Sequence, residues 1–579
     1  MADQPPIGID LGTTHSLVAV FTPTGPRLVR NAHGATLTPS IVGVLEGGEV
    51  VVGEAARQLA LTEPERVVAT FKRWMGTDRV VELAGQRFSA PALSSLVLRA
   101  LKRDAEADLG VEIHNVVVTV PAYFNQHQRA ATKRAGELAG LVVDRIVNEP
   151  TAAALSYGFD RRSDDKRLVV FDLGGGTFDV TVMEIFEGTL EILGTAGESR
   201  LGGEDFTEAL MGEALGRLGR HLEVAELREP RLVARIRAEA ERAKRQLGEG
   251  DVGRLRVPDS EGVLGPEHAV LEVSGARFEE LVEPLLERLR RPTLRALRDA
   301  KLSVGAIDEV LLVGGATRMP VVRRLADDLF GQKPRAGVHP DEAVALGAAI
   351  QAALVADDAA VEDLVMTDVC PHTLGVEIVK EFGSRQVDGY FLPVIHRNTT
   401  IPVSREESVF TVNPGQTRIQ VRVYQGESRR VEENALLGEL DVKGLPGGDR
   451  GLEVILRFTY DPSGLLEVEA IVPSTGLRQA ILLQQAATGL NEGDLRETHQ
   501  KMQALKFYPR EDLEHQRLLR FGNAALKEVS PALRGDVELA LDRYEHWLMQ
   551  NERQEFLAAR AALLEALRAA GLGYGGDEA

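Results

Sequence analysis

Asp10-Leu11-Gly12-Thr13-Thr14 and Asp172-Leu173-Gly174-Gly175-Gly176-Thr177 repeat one design at two distant places in the chain. Each follows a short apolar run, Ile7-Gly8-Ile9 in the first case and Leu168-Val169-Val170-Phe171 in the second. Each precedes another, Ser16 to Val20 and Val180 to Met183, so each reads as a strand, a glycine-rich turn and a return strand. Glycine has no Cβ and lets backbone N–H groups surround an anion, while the threonine hydroxyls can donate to phosphate oxygens. The Asp at the head of each turn sits where a divalent cation needs oxygen ligands. One such turn is an ordinary hairpin; a matched pair points to a shared phosphate site.

A third element supports that reading. Val310-Leu311-Leu312-Val313 runs into Gly314-Gly315-Ala316-Thr317-Arg318, and Pro320 opens an apolar helical pattern. The positive end of a helix and its unpaired N–H groups suit a nucleotide's α-phosphate or ribose. No Gly-x-x-x-x-Gly-Lys-Ser/Thr occurs in the chain, so any nucleotide is held by hairpins and not by a P-loop.

Gly8 to Thr14, Val120-Pro121-Ala122-Tyr123-Phe124-Asn125, Asn148-Glu149-Pro150-Thr151-Ala152-Ala153-Ala154, Phe171 to Asp179, and Leu201-Gly202-Gly203-Glu204-Asp205-Phe206 occur in that order. With these motifs the chain resembles the seventy-kilodalton heat-shock chaperone family, the DnaK type, from about residue 6 to about residue 500. The resemblance implies an actin-like, ribonuclease H-like α/β ATPase domain, a β-sandwich peptide-binding domain and a short α-helical lid. Actin-like filament proteins and sugar kinases share the hairpins but leave residues 371 to 579 without a role. A nucleotide exchange factor with little hydrolysis is disfavoured by intact Lys72, Glu149 and Asp172.

Composition fits a folded chain of several domains: 579 residues, 44% hydrophobic. The 67 basic and 87 acidic residues give a net charge of −20, which disfavours nucleic acid as a partner. Met1 to Pro6 lacks a basic and then apolar leader, so no secretory signal is expected. The apolar stretch Ala343 to Ala356 is too short to span a bilayer and reads as a buried helix, so no membrane association is expected. A single cysteine, Cys370, suits a reducing compartment, and the expected location is cytoplasmic.

Domain boundaries follow changes of pattern. Strands and amphipathic helices alternate over residues 1–357, expected as the ATPase domain. The acidic stretch 358–370 is expected as a linker. Beyond it the period becomes two, as in Ile419, Val421 and Val423, with a hairpin turning at Asp461-Pro462-Ser463-Gly464, so residues 371–488 are expected as the β domain. Residues 489–579 turn helical, with Gly571 as a C-terminal cap.

The resemblance also assigns roles. Lys72 reaches the γ-phosphate and the attacking water. Glu149 and Asp172 orient that water and the Mg²⁺ hydration shell, with Asp10 and Asp179 as further metal-shell carboxylates and K⁺ nearby. Magnesium commonly keeps several waters, so such contacts are chemically reasonable. Thr13, Thr14 and Thr177 contact phosphates beside Gly12, Gly174, Gly175 and Gly176. Gly202, Gly203 and Glu204 continue the pocket, Glu241, Lys244 and Arg245 hold the adenosine of ATP or ADP, and Gly314, Gly315, Arg318 and Asp341 complete it. His15, Gly248 and Ala316 depart from the residues usual in the family.

Pro121 and Arg129 match the residues that relay nucleotide state to the second domain, through a linker containing Asp363, Leu364 and Asp368. That linker, Asp363-Leu364-Val365-Met366-Thr367, is less apolar than the family's, and looser coupling is expected. Val379, Phe410, Ile419 and Val421 are expected to line the cleft for extended client polypeptides. A J-domain co-chaperone and a nucleotide exchange factor are implied as partners. The longer segment from Lys380 to Pro393, the short tail, and Asp368-Val369-Cys370-Pro371 look most like the HscC branch.

Overall fold

The computed structural model describes residues 4–158, 165–186, 189–259, 262–265, 268–334, 339–361, 365–383, 385–461, 464–483, 513–526, 529–530, 533–549 and 553–572. Strands Ile7–Asp10 and His15–Thr22 pair antiparallel around the first turn, as Lys166–Leu173 and Phe178–Phe186 do around the second. In both cases the return strand pairs with a third antiparallel strand, Gly25–Leu28 or Thr189–Glu198. The outgoing strand lies parallel to a later one, Asn115–Val120 or Glu309–Val313. Parallel neighbours need a crossover, and the helices Ala90–Leu109 and Gly275–Asp299 lie in those two connections. The duplication visible in the turns thus extends through two sheets, one of six strands and one of five.

Small residues fix how the two sheets meet. The helix Ala343–Val355 is apolar on nearly every face and correspondingly buried. A Cβ on Gly347 would stand 1.6 Å from the Ala152 carbonyl oxygen in the helix Glu149–Gly158, and one on Gly8 would stand 2.1 Å from the Ala349 nitrogen. Around this crossing a shared core joins Val117 and Val147 of the first lobe to Val170 and Leu311 of the second. The first two turns therefore face each other across one cleft.

The stretch expected as a linker forms structure on the second lobe. Val365–Met366 adds a parallel strand at Thr189–Leu190, and the Thr367 N–H donates to the Leu190 carbonyl at 3.0 Å. Asp363 and Leu364 lie outside the described residues. Beyond, two four-stranded sheets pack face to face. Their core contains Leu374, Val376, Val421, Val423, Val454, Phe458 and Val468, the alternate positions that a half-buried sheet requires. The Asp461 turn closes with its carboxylate accepting from the Leu465 N–H at 2.8 Å.

The four residues expected to line the cleft divide between the two faces of their strands. Ile419 and Val421 face the sandwich interior, but so do Ile378 and Val409, not Val379 and Phe410. Phe410 is 57% exposed on the opposite face of its strand, and Val379 falls at a register shift between Ile378 and Lys380. A one-residue slip exchanges the faces of a strand.

Helices Leu513–Ala525, Arg534–Met549 and Arg553–Ala569 pack around Tyr544, Phe556 and Leu563. The last ends at Gly571, whose φ of 78° lets its N–H return to the Arg568 carbonyl. The expected boundary at 488/489 lies outside the described residues. Among the described residues no helix is long and apolar enough to cross a membrane.

Candidate active site

The three glycine-rich turns open onto one cavity of about 700 Å³. The first contributes Gly12, Thr13 and Thr14, the second Gly174, Gly175 and Thr177, and the third Gly314, Gly315 and Arg318, with Asp341 beside it. The first two tips touch: a Cβ on Gly175 would stand 2.3 Å from Thr14, and one on Gly176 would stand 2.5 Å from Thr13. Gly176 and Gly202 are not themselves among the lining residues; they pack back to back behind the second turn. Gly314 has φ of 82°, and a Cβ there would stand 2.3 Å from the Leu173 carbonyl oxygen, so glycine is required on both counts.

Each turn is braced. Gly203 and Glu204 N–H groups, at the start of the helix Gly203–Arg217, donate to the Gly174 and Gly175 carbonyls at 2.9 Å. Ser40 Oγ donates to the Gly12 carbonyl at 2.8 Å and is 2.8 Å from Ser16 Oγ, which accepts from the Gly12 N–H. No sequence signal singled out Ser40, because it comes from a separate segment.

Lys72 is almost fully buried, with its Nζ 2.6 Å from Glu149 Oε1. It rides on a short 3₁₀ turn, Phe71–Trp74, entered through Thr70 in the left-handed region at φ 55°, an unusual conformation for a β-branched residue. Glu149 begins the helix Glu149–Gly158, where the positive end of the helix favours its charge. Lys72 Nζ also lies 5.6 Å from the centroid of the Phe124 ring.

Three aspartates cluster behind this pair. Asp10 accepts from Thr119 Oγ1 at 2.9 Å, and burial together with the Glu149 charge pushes its pKa up to about 7. Asp179 accepts from the Tyr123 N–H at 3.1 Å and is pushed up to about 8 by burial and then Glu149. Burial raises Asp172 as well, reinforced by Glu149 and the other two aspartates. Asp172 Oδ2 is buried with no hydrogen-bond partner. Excess negative charge and an orphaned carboxylate oxygen fit a cation. Among the described residues no three acidic, histidine or cysteine side chains converge tightly enough to ligate one directly, so the arrangement fits a hydrated ion.

At the other end of the cavity, Lys244 Nζ donates to the Gly203 carbonyl and Thr207 Oγ1, both at 2.8 Å, and pairs with Glu241. Arg245 donates to Glu241 at 3.0 Å and keeps 62% of its side chain exposed. Arg318 pairs with Asp341. His15, Gly248 and Ala316 line the wall, and burial, then the Arg245 charge, lowers the His15 pKa and keeps its imidazole neutral. A cross-cleft ion pair, Arg73 with Asp205, escaped sequence reading; the same carboxylate also accepts from the Gly202 N–H.

Comparison with known proteins agrees with this geometry. The profile of the family described as Hsp70 protein matches residues 6–83 and 77–538. The chaperone protein DnaK of Thermotoga maritima is 43% identical over 485 residues, 82% of this chain and 80% of the relative. That of Thermosipho melanesiensis is 37% identical over 554 residues, 95% and 90% of the two chains. This chain belongs to the Hsp70 family.

In this Hsp70 a polar path leaves the Lys72–Glu149 pair. Arg129 donates to the Ala122 and Phe124 carbonyls at 3.1 Å and to Asn148 Oδ1 at 2.6 Å. Asn148, the neighbour of Glu149, donates onward to both oxygens of Asp368 at 3.0 and 3.1 Å. Pro121 is buried at the head of the same loop, its carbonyl accepting from the Phe124 N–H.

Proposed function

We propose that the cavity binds ATP across its three turns and that nucleotide state is passed to the β domain through Arg129, Asn148 and Asp368. As an Hsp70, the chain is an ATP-dependent chaperone that binds client polypeptides and hydrolyses ATP. Lys72, buried beside the two touching turns and fixed by Glu149, is the observation that carries the catalytic reading. Thr13, Thr14 and Thr177 donate to the phosphates with the N–H groups of Gly12 and Gly174 to Gly176, and Lys72 offers its positive charge to the γ-phosphate. Glu149 holds Lys72 and accepts a hydrogen bond from the attacking water, which positioning and charge stabilisation make reactive. Asp10, Asp172 and Asp179 hold hydrated Mg²⁺, with K⁺ beside them. Bound Mg²⁺ supplies charge neutralisation at the phosphates. Glu204, Glu241, Lys244, Arg245, Arg318 and Asp341 define the adenosine end.

Residues 1–357 form this actin-like ATPase domain, 358–370 the linker, 371–488 the sandwich that takes an extended apolar segment, and 489–579 a short lid. Val379, Phe410, Ile419 and Val421 line the apolar cleft. ATP opens the sandwich for exchange, and hydrolysis closes it. A J-domain co-chaperone accelerates hydrolysis and an exchange factor assists nucleotide release. The long hairpin Leu374–Phe382/Arg385–Ile395 favours the HscC branch, and the single, buried Cys370 suits a cytoplasmic location.

Single-turnover hydrolysis by Lys72→Met and by Lys72→Met with Glu149→Gln tests the reading. Removing a preorganised charge of this kind costs about 10²-fold in rate, while Mg-ADP binding persists. The double variant does not leave Glu149 as a buried carboxylate stripped of its lysine, so an unchanged hydrolysis rate there would remove Lys72 from the chemistry.

A further inference from the structure

Both polar groups of one peptide residue, Tyr123, are engaged, one on each side of the domain seam. Its N–H donates to Asp179 Oδ1 at 3.1 Å, and its carbonyl lies 3.0 Å from His372 Nε2. Asp179 stands directly opposite Asp172 across the second hairpin. A Cβ on Gly197 would be 2.5 Å from Asp179 Oδ1 and 3.1 Å from Tyr123 Cβ, so the carboxylate and this peptide are packed as a unit.

His372 comes from the other side, in the segment that enters the β domain. It is 9% exposed, and its ring lies on that of Tyr123 with centroids 4.2 Å apart at 58°. The Cys370 thiol donates to its carbonyl at 3.0 Å. A carbonyl only accepts, so Nε2 carries the proton of the bond to Tyr123.

We propose that His372 is a positioning residue that ties docking of the β domain to the second phosphate turn, because it binds the carbonyl of the same residue whose N–H holds Asp179. The proposal rests on the two-domain chaperone reading and extends it to one residue. Docking completes the hold on Tyr123, and undocking removes the acceptor-side half of it while the Asp179 side remains.

The groups facing the imidazole are Tyr123, Arg129 and Arg295 from the ATPase side and Glu427 from the β-domain side. Burial, chiefly, and the two arginines hold His372 down at about 4, with the Tyr123 bond and Glu427 opposing. Undocked, an exposed imidazole titrates at about 6.5. The docked form therefore binds fewer protons. Docking is near full strength above pH ~7.5, is halved at pH ~6.5, and approaches a tenfold loss per pH unit as pH falls from about 5.5 toward 4.

The test uses the full chain carrying a fluorescent, extended, Leu-rich peptide, with the rate of ATP-triggered release measured from pH 5.5 to 8. His372→Gln keeps an N–H donor without titrating, and His372→Leu fills the volume without a donor. Wild type should release about fivefold more slowly at pH 5.5 than at 6.5, the Gln variant should be flat over that range, and the Leu variant should be about fivefold slower than wild type even at pH 7.5. Peptide affinity with ADP should be equal in all three, establishing that the β domain is folded. If the Leu variant matches wild type at pH 7.5, or the Gln variant keeps the acid slope, the role of His372 is overturned while the chaperone reading stands. If wild type shows no ATP-triggered release at any pH, both fall together.

Discussion

Asp10 and Asp179 illustrate at single residues what burying carboxylates close to one another costs. Their folded pKa values, about 7 and about 8, lie above the ordinary carboxylate value of 3.8 because burial and neighbouring carboxylates disfavour ionisation. A carboxylate raised on folding contributes stability that is complete below the unfolded pKa and is lost as pH rises through the folded one. The nucleotide-free chain should therefore lose thermal stability as pH rises from about 4 to about 8, and the gain in Tm from Mg-ADP should be larger at pH 8.5 than at pH 6. Binding should release protons in this interval, measurable by calorimetry in buffers of different ionisation heat. Asp179→Asn should flatten the pH slope of the nucleotide-free protein, and an unchanged slope would count against this assignment. The sequence made these residues visible through their turns. Their shared burial was not legible, because Glu149 and Thr119 reach them from segments remote in the chain.

Among elements, glycine decides more than propensity does. Gly347 lies inside a helix, where alanine is ordinarily favoured by about 1 kcal/mol. Its missing Cβ makes room for the Ala152 carbonyl at 1.6 Å, so Gly347→Ala should instead destabilise the ATPase domain by about 2 kcal/mol or more in urea unfolding. The duplicated hairpins were legible because strand, turn and return strand are local, and so was the alternation of the sandwich. Which side chains share a face around Val379 was not legible, because a bulge there shifts the pairing and local pattern carries no record of it. The linker edge strand was equally hidden, since its partner Thr189–Leu190 is remote in sequence. Thr367 Oγ1 is buried there without a partner. Thr367→Val, nearly the same shape without the hydroxyl, should strengthen docking by about 1 kcal/mol and speed ATP-triggered peptide release; slower release would show that the hydroxyl is satisfied in the working state.

For the whole molecule, a set of polar contacts joins the sandwich to the two lobes. Gln126 bonds to both Gln425 and Tyr460, and Asn398 accepts from the Thr195 N–H while donating to Asp299. The strongest of these contacts is Arg397, whose guanidinium meets both oxygens of Asp299 at 2.9 and 3.0 Å and also reaches Glu427 at 3.1 Å. Asp299 is the last residue of the helix Gly275–Asp299, the negative end, where a carboxylate is disfavoured unless a cation faces it. Undocking leaves Asp299 in that position without Arg397, so the pair favours closure from both sides. The geometry is bidentate and partly screened from water, the circumstances in which an ion pair contributes measurably. A double-mutant cycle with Asp299→Ala and Arg397→Ala, read by ATP-triggered peptide release, should give a coupling energy of about 1 kcal/mol or more that falls as salt is raised. Peptide affinity with ADP should not change, because neither side chain belongs to the cleft. Additive effects of the two substitutions would mean that the pair forms without driving the domains together, and would shift the weight of docking to the uncharged contacts at Gln126 and Asn398.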